Sequence, residues 1–278
     1  MISKIWSNYR FLIARRITQI SIMLLYAAGN YLGWTFLQGN LSSSLLLNTV
    51  PLSDPYAVLQ MFSAGAMIST NILIGALIIT VFYALVGGRV FCSWVCPVNI
   101  ITDSANYLRN KLGFNNVAKK QPASRNIRYW VLILSLILSY VLSITAFEFI
   151  SPISITHRGI IFGLGMAWAA MLVIFLFDLF ILKNGWCGHM CPLGGFYSLV
   201  GKKSLIRVDH NEQNCTACME CKVVCPESQV LFMVSKESMQ VLGSECTNCG
   251  RCVEVCDDDA LNFSIRNLIK DKKNEKNK

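Results

Sequence analysis

Four apolar runs, over residues 17–37, 68–90, 129–150 and 160–182, are each long enough to cross a hydrocarbon core about 30 Å thick, which takes about 20 helical residues. At that depth the backbone has no water to bond, so a spanning segment is a helix or part of a closed barrel. Runs this long, without alternation of apolar and polar residues, select helices. Buried helices of a soluble domain would carry a polar residue at every third or fourth position, and a stretch such as WVLILSLILSYVLSITAF reads as having no polar face. Composition agrees: only 15% of the 278 residues are charged, where soluble domains carry about 25%. A disordered chain, a small secreted disulfide protein and an ordinary cytosolic enzyme are thereby excluded.

The loops orient the runs. Lys4, Arg10, Arg15 and Arg16 precede the first, while Arg109, Lys111, Lys119, Lys120, Arg125 and Arg128 lie between the second and third, with Arg89 at the edge. The segment between the first two has no Lys or Arg, and that between the last two has only Arg158. The positive-inside rule then puts both termini in the cytoplasm. The net charge of +9 is a label of this topology, because residues 1–182 hold 12 Lys and Arg against 4 acids and the remainder is nearly balanced. No basic groove interleaved with aromatics points to nucleic acid as a partner. Arg15-Arg16 reads as a flank rather than an export signal, since no A-x-A cleavage site directly follows the apolar stretch, and the first helix is expected to be retained. Trp34, Trp94, Trp130, Trp168 and Trp186 read mostly as interface anchors.

The runs form an internal repeat. Each half consists of a span, an outer loop, a span and a C-x-x-x-C-P motif: FCSWVCP at Cys92 and Cys96, WCGHMCP at Cys187 and Cys191. Residues four apart share a helix face, and the proline ends the helix and fixes where the thiols aim. Two such pairs, related by the repeat, are placed to converge as four thiolates on one metal centre. A reversible disulfide in each pair and inert packing are the alternatives. Metal or redox use is favoured because all twelve cysteines fall into four clusters, whereas inert cysteines scatter as small hydrophobes. His189 is a ligand, a hydrogen-bonding partner or a cap.

The remaining eight cysteines lie in CTACMECKVVCP and CTNCGRCVEVC. Three cysteines at a spacing of three wrap one face of a 4Fe-4S cluster, and in two-cluster ferredoxins the fourth ligates the other cluster. This assigns Cys215, Cys218, Cys221 and Cys256 to one cluster, and Cys246, Cys249, Cys252 and Cys225 to the other. Zinc, the alternative, uses pairs of ligands rather than two such sets. Asp257 stands where proline usually follows the last cysteine, and Asp257 to Asp259 should lower the potential of a nearby cluster. The segment is too small to rely on an apolar core, so the clusters hold it together, with strands expected at VLFMV (230–234) and ALNFSI (260–265). The expected architecture is an α-helical membrane protein. Residues 1–200 form four transmembrane helices as a duplicated hairpin, 201–266 an α+β two-cluster bacterial ferredoxin-like domain, and 267–278 a disordered basic tail.

Acids inside spans are costly and mark function. Glu148, near the outer end of the third run, and His157 in the outer loop are candidates to take protons from a quinol, although a helix-end carboxylate also reaches water. Asp178, near the inner end of the fourth run, pairs with Lys183 or lines the route to the cysteines.

Together these features resemble the NapH family, membrane-bound ferredoxin-type quinol dehydrogenase subunits of periplasmic nitrate reductase systems. The likeness covers nearly the whole chain. NosR-like and CcoG-like groups share the paired C-x-x-x-C-P on four spans but carry further domains for which there is no room here, and residues 39–56, GNLSSSLLLNTVPLSDPY, tip the resemblance to NapH. It implies a redox enzyme subunit of the bacterial inner membrane with two 4Fe-4S clusters. Such a subunit would draw on the membrane quinone pool, oxidise quinol, and pass electrons through a NapG-like periplasmic iron-sulfur protein to nitrate reductase. The alternative is a maturation factor that reduces a metal or thiol in a partner, a CcoG-like or NosR-like role. One gap stands in the expected route: no C-x-x-C-H and no histidine pair within a span bridges the inner clusters and an outer acceptor.

Overall fold

The computed structural model describes residues 2–113, 124–163, 165 and 167–266. Lys119 and Lys120 of the inner flank, and the expected tail 267–278, lie outside them. The first apolar run belongs to a helix, Ile2–Tyr31, whose backbone kinks at Tyr9. Its stretch Tyr9–Tyr31, 23 residues, is the one described helix long and apolar enough to cross a membrane. Three shorter apolar helices follow at Thr70–Val86, Ile127–Leu142 and Ala167–Ile181.

All four runs are therefore helical, with boundaries that differ from expectation for local reasons. The first helix stops at Tyr31, before Gly33 (φ +67°), and Leu37 already begins a strand. The run 129–150 is not one helix: Ser143 turns left-handed (φ 52°), a short helix Ala146–Ile150 follows, and a further helix starts at Pro152 and ends at Phe162. Proline supplies no N–H to continue the preceding helix and pushes Ser151 out of the helical region. The run 160–182 is broken at Gly163 (φ +98°), and its last turn, Phe177–Ile181, is π-helical.

The faces of these helices are inverted relative to a soluble protein. Only 17% of the most apolar window of Tyr9–Tyr31 is buried; Ile17, Ile20 and Leu24 point outward while Arg15 and Gln19 are fully enclosed. On Ile127–Leu142, Leu134, Ile137 and Val141 are exposed, and Arg128, Ser135 and Ser139 are buried. The polar face that the one-letter pattern lacked is a narrow stripe of serines four apart, turned inward. Large contiguous apolar exteriors mark an interaction with lipid or protein. The core between the helices is built on Tyr56, Tyr83, Phe91, Leu132, Ile153, Ile174, Leu193 and Tyr197, with Cys96 and Cys191 among them.

Residues 37–63 do more than cap the hairpin. Three strands, β1 (Leu37–Gly39), β2 (Ser43–Leu46) and β3 (Val50–Ser53), form an antiparallel meander with Leu37 opposite Leu46 and Ser43 opposite Ser53. A short helix, Pro55–Ser63, follows, capped by Asp54, which accepts from the Tyr56 N–H at 3.2 Å. β3 packs on Thr70–Val86 where Gly75 leaves room, since a Cβ there would meet the Pro51 carbonyl at 3.0 Å. The segment then dips between the helices, so that Tyr56 hydrogen-bonds Ser135 and Asp54 accepts from the Tyr197 hydroxyl at 3.3 Å.

The C-terminal unit is a small sheet in the order β5-β4-β6, with β4 (Ile206–His210) antiparallel to β6 (Leu261–Ile265) and to β5 (Met239–Gln240). The expected strand at 260–265 is present; that at 230–234 is not. Ser228–Leu231 is a 3-10 turn, and Val230, Leu231, Met233 and Val234 all point inward, which a strand with alternating faces does not allow. They pack with Val208, Val241, Val253 and Leu261 around Cys221 and Cys252.

Candidate iron-sulfur and redox sites

Two loops of the C-terminal unit repeat one backbone path. In Cys215–Cys221 the left-handed residues are Ala217 (φ 61°) and Met219 (φ 64°); in Cys246–Cys252 they are Asn248 (φ 48°) and Gly250 (φ 79°), at the same two positions. A left-handed alanine or methionine is disfavoured by about 1–2 kcal/mol, so the path is imposed by what the loops wrap. A short helix follows each loop, Glu220–Val224 and Arg251–Glu254. The fourth cysteines exchange partners. Cys225 lines one cavity with Cys246, Cys249 and Cys252, while Cys221 sits in the field of Cys215, Cys218 and Cys256. Among the described residues no three His, Cys, Asp or Glu side chains gather in the geometry that holds one metal ion. A zinc site, with sulfurs about 2.3 Å from a single point, therefore does not fit, and a larger group such as a 4Fe-4S cluster suits the two sets of four.

The C-x-x-x-C-P pairs form a third site. Cys92, Cys96, Cys187 and Cys191 line one apolar cavity with Phe91, Trp186 and Phe147. The expected α-helical spacing is corrected: Cys96 and Cys191 lie just past the ends of Val90–Trp94 and Trp186–Met190, and each motif closes through a bond from residue i to i−5. These bonds, Cys96 N–H to the Phe91 carbonyl at 3.0 Å and Cys191 N–H to the Trp186 carbonyl at 2.9 Å, are the same bond in both halves of the repeat. The wider π-type turn brings the second thiol inward, and Pro97 and Pro192 stand at the start of the next helices, Val98–Lys111 and Pro192–Val200. No disulfide joins any of the twelve cysteines. Burial pushes Cys96 and Cys187 well up and Cys191 up to about 11, so a thiolate there requires a cation bonded to it. Four thiols lining one cavity suit a cluster, since among the described residues these too do not close on a single metal ion.

The third site and the C-terminal unit are in contact. Ser93 donates to the Thr247 carbonyl at 2.7 Å and Trp94 Nε1 to the Asn248 carbonyl at 3.1 Å. Arg89, 2% exposed, binds Glu227, the Glu245 carbonyl (3.0 Å) and the Cys187 carbonyl (3.0 Å). Glu227 also gathers Arg125 and Arg128, and Asp103 gathers Arg15, Arg16 and Arg251. The arginines that the sequence marks as topology labels are thus also the dock for the C-terminal unit, a role that the forked guanidinium serves better than lysine.

The other candidates are dispersed. Glu148 accepts from Ser42 and Ser154 (2.6 Å) near the dipping segment. His157 lies within the helix Pro152–Phe162, buried edge-on against Tyr26 at 4.9 Å. Asp178 does not pair with Lys183, whose Nζ reaches the Val223 carbonyl at 3.0 Å; it accepts instead from the Trp186 N–H at 3.0 Å, next to Cys187, and so fixes the second thiol turn. His189 bonds the Asn184 carbonyl and does not line the thiol cavity. Trp34, Trp130 and Trp168 are exposed as anchors would be, whereas Trp94 is the contact just described and Trp186 lines the cavity. Sequence reasoning passed over Asp54, whose only signal is a lone acid followed by proline, and the inward-turned Gln19, which bonds the Ser93 and Cys96 carbonyls at 3.1 Å each.

Comparison with known proteins agrees with this partition. A family model described as "4Fe-4S binding domain" matches twice, at residues 68–115 and 164–209, one match on each C-x-x-x-C-P half. A second, "4Fe-4S dicluster domain", matches residues 207–257. The ferredoxin-type protein NapH of Haemophilus influenzae is 45% identical over 94% of this chain and 92% of its own length. That of Escherichia coli is 42% identical over 94% and 91%. The methylamine utilization ferredoxin-type protein MauN of Methylorubrum extorquens is 41% identical over 91% and 88%. No solved structure matches the chain. Identity of this extent, with both halves of the thiol repeat and the two-cluster loops inside it, places the chain in the NapH family of ferredoxin-type iron-sulfur proteins.

Proposed function

We propose that this electron-transfer protein oxidises quinol in the bacterial inner membrane and sends the electrons, through a NapG-like periplasmic iron-sulfur protein, to a periplasmic nitrate reductase. In this reading the four apolar helices are embedded as a duplicated hairpin, with both termini and the ferredoxin unit on the cytoplasmic side. Their outward apolar faces and inward serines, glutamine and arginines support it. Cys215, Cys218, Cys221 and Cys256 hold one 4Fe-4S cluster, Cys225, Cys246, Cys249 and Cys252 a second, and Cys92, Cys96, Cys187 and Cys191 a third metal centre.

The observation that carries the reading is the single cavity lined by all four C-x-x-x-C-P thiols, at the foot of a segment that enters from the other end of the helices. Bound clusters would supply one-electron acceptors. The chain's own residues do the rest. Asp54, held by the Tyr56 N–H and the Tyr197 hydroxyl, is a fixed carboxylate near the thiols, because Tyr197 stacks on Phe91 with ring centroids 5.1 Å apart. Glu148, whose charge acts on Asp54, continues this acidic path toward Ser42 and the outer end. Asp54 and Glu148 accept the two quinol protons, and His157 lies one helical turn beyond Ser154 on the same helix. The dipping segment also shortens the gap left by the sequence, since it brings outer-loop residues down to the thiol site.

The test is reduction of the ferredoxin clusters, followed optically, when purified protein in lipid is given a reduced quinol analogue. Quinol-dependent bleaching is expected. Its absence, with clusters that dithionite still reduces and with the partner present, overturns the reading.

A further inference from the structure

The thiol site and the ferredoxin unit meet in a seam that treats the two four-cysteine sets unequally. Ser93 and Trp94 lie between Cys92 and Cys96, and the carbonyls they bond belong to Thr247 and Asn248, between Cys246 and Cys249. A cavity in the seam is lined by Cys92 and Cys187 from one side and Cys249 from the other. That cavity shares Glu227, Thr247 and Cys249 with the pocket formed by Cys225, Cys246, Cys249 and Cys252. None of Cys215, Cys218, Cys221 and Cys256 lines it; Cys218 is exposed, and the Thr216 hydroxyl turns to Asp258 within the unit. The approach is close at Gly87, where a Cβ would lie 2.7 Å from the Asn248 side-chain amide.

Resting on the reading that redox groups occupy all three cysteine sets, we propose that electrons pass between the C-x-x-x-C-P site and the ferredoxin unit only at the Cys225, Cys246, Cys249 and Cys252 set, across the Ser93–Thr247 and Trp94–Asn248 contacts, and that the Cys215, Cys218, Cys221 and Cys256 set exchanges electrons with the thiol site only through it. Each transfer moves one electron. The group held by the C-x-x-x-C-P thiols is oxidised by one and the group at Cys249 reduced by one, with no bond or proton changed. A second transfer of the same kind then reduces the outer set and frees the inner one.

The experiment uses the full-length protein in lipid nanodiscs and low-temperature electron paramagnetic resonance. In Cys249→Ser, quinol no longer reduces the outer set, although dithionite does. Because loss of a ligand can unfold so small a unit, the double variant Ser93→Ala with Trp94→Phe repeats the test with all twelve cysteines in place. It keeps the full iron count and the wild-type dithionite-reduced signals, while quinol-driven reduction of both ferredoxin sets slows several-fold together. A second readout needs no quinol: in dithionite-reduced protein the magnetic coupling of the C-x-x-x-C-P centre is strong to the inner set and weak to the outer. Wild-type protein that fails to oxidise quinol yet shows this coupling overturns the quinol reading alone. Coupling to the outer set, quinol reduction of the outer set in Cys249→Ser, or an iron count of eight that leaves the four thiols without a centre overturns the inference.

Discussion

The ferredoxin loops and the C-x-x-x-C-P site both gather four thiols, by opposite means. Each ferredoxin set takes three cysteines from seven consecutive residues and borrows the fourth from a neighbouring loop, so most of its geometry is local and is written into paired left-handed turns. The C-x-x-x-C-P site takes two from each of two turns nearly a hundred residues apart, and its geometry comes from the i to i−5 bond that both turns share. A locally wound site depends on its metal for its fold, whereas a site assembled by packed helices exists before the metal arrives.

That contrast can be broken most severely at Cys252, which is part of the hydrophobic core of its own unit. Cys252→Ser is expected to lose the iron of its set and to make residues 201–266 sensitive to protease. Cys92→Ser with Cys187→Ser should abolish quinol-driven reduction while both ferredoxin signals and the protease resistance persist. Loss of those signals in the double variant would show that the thiol site is not independent. At the dock, Glu227→Ala leaves Arg89, Arg125 and Arg128 without their shared counter-charge, and about 3–5 kcal/mol of unfolding stability should be lost in a denaturant titration. Asp54→Asn sharpens the comparison differently. Asparagine caps a helix as well as aspartate, so stability should change by less than about 1 kcal/mol while quinol oxidation slows; an unchanged rate would remove Asp54 from the proton path. The smallest effect on function is expected at Ser135→Ala, which deletes the Tyr56 hydroxyl's partner and should cost about 1 kcal/mol of stability while clusters and quinol oxidation stay intact.

The same contrast explains what could be read in advance. The two sets of four ferredoxin cysteines, with their fourth members exchanged, were expected from spacing because three-residue intervals favour a local wrap, and Cys225 does line a cavity with Cys246, Cys249 and Cys252. Convergence of the four C-x-x-x-C-P thiols was legible through the repeat, but their turn was not: the i to i−5 bond has no residue signature, and an α-helical spacing is the natural reading of four. Helix ends were misplaced at Ser143 and Gly163, where a positive φ stops the helix inside a stretch that hydropathy alone would continue. The strand expected at 230–234 failed because a run of five apolar residues shows no alternation to read, and the fold turns four of them inward, as a tight turn in a core allows and a strand does not. Least legible were the long-range partners. The arginines that flank the apolar runs carry no mark of the acids they will bind, and a loop between two such runs gives no sign that its Asp54 will be carried to Tyr197.

Arg89 has one more consequence. It ties the Cys187 turn to Glu227 and Glu245. The connection from Val200 to Ile206 is also short, and Arg207 grips it through the Gly201 and Lys202 carbonyls. A domain so tethered has no slack with which to swing between a loading and an unloading position, as a mobile carrier must. The ferredoxin unit is a fixed wire, and anything that exchanges electrons with it has to come to it.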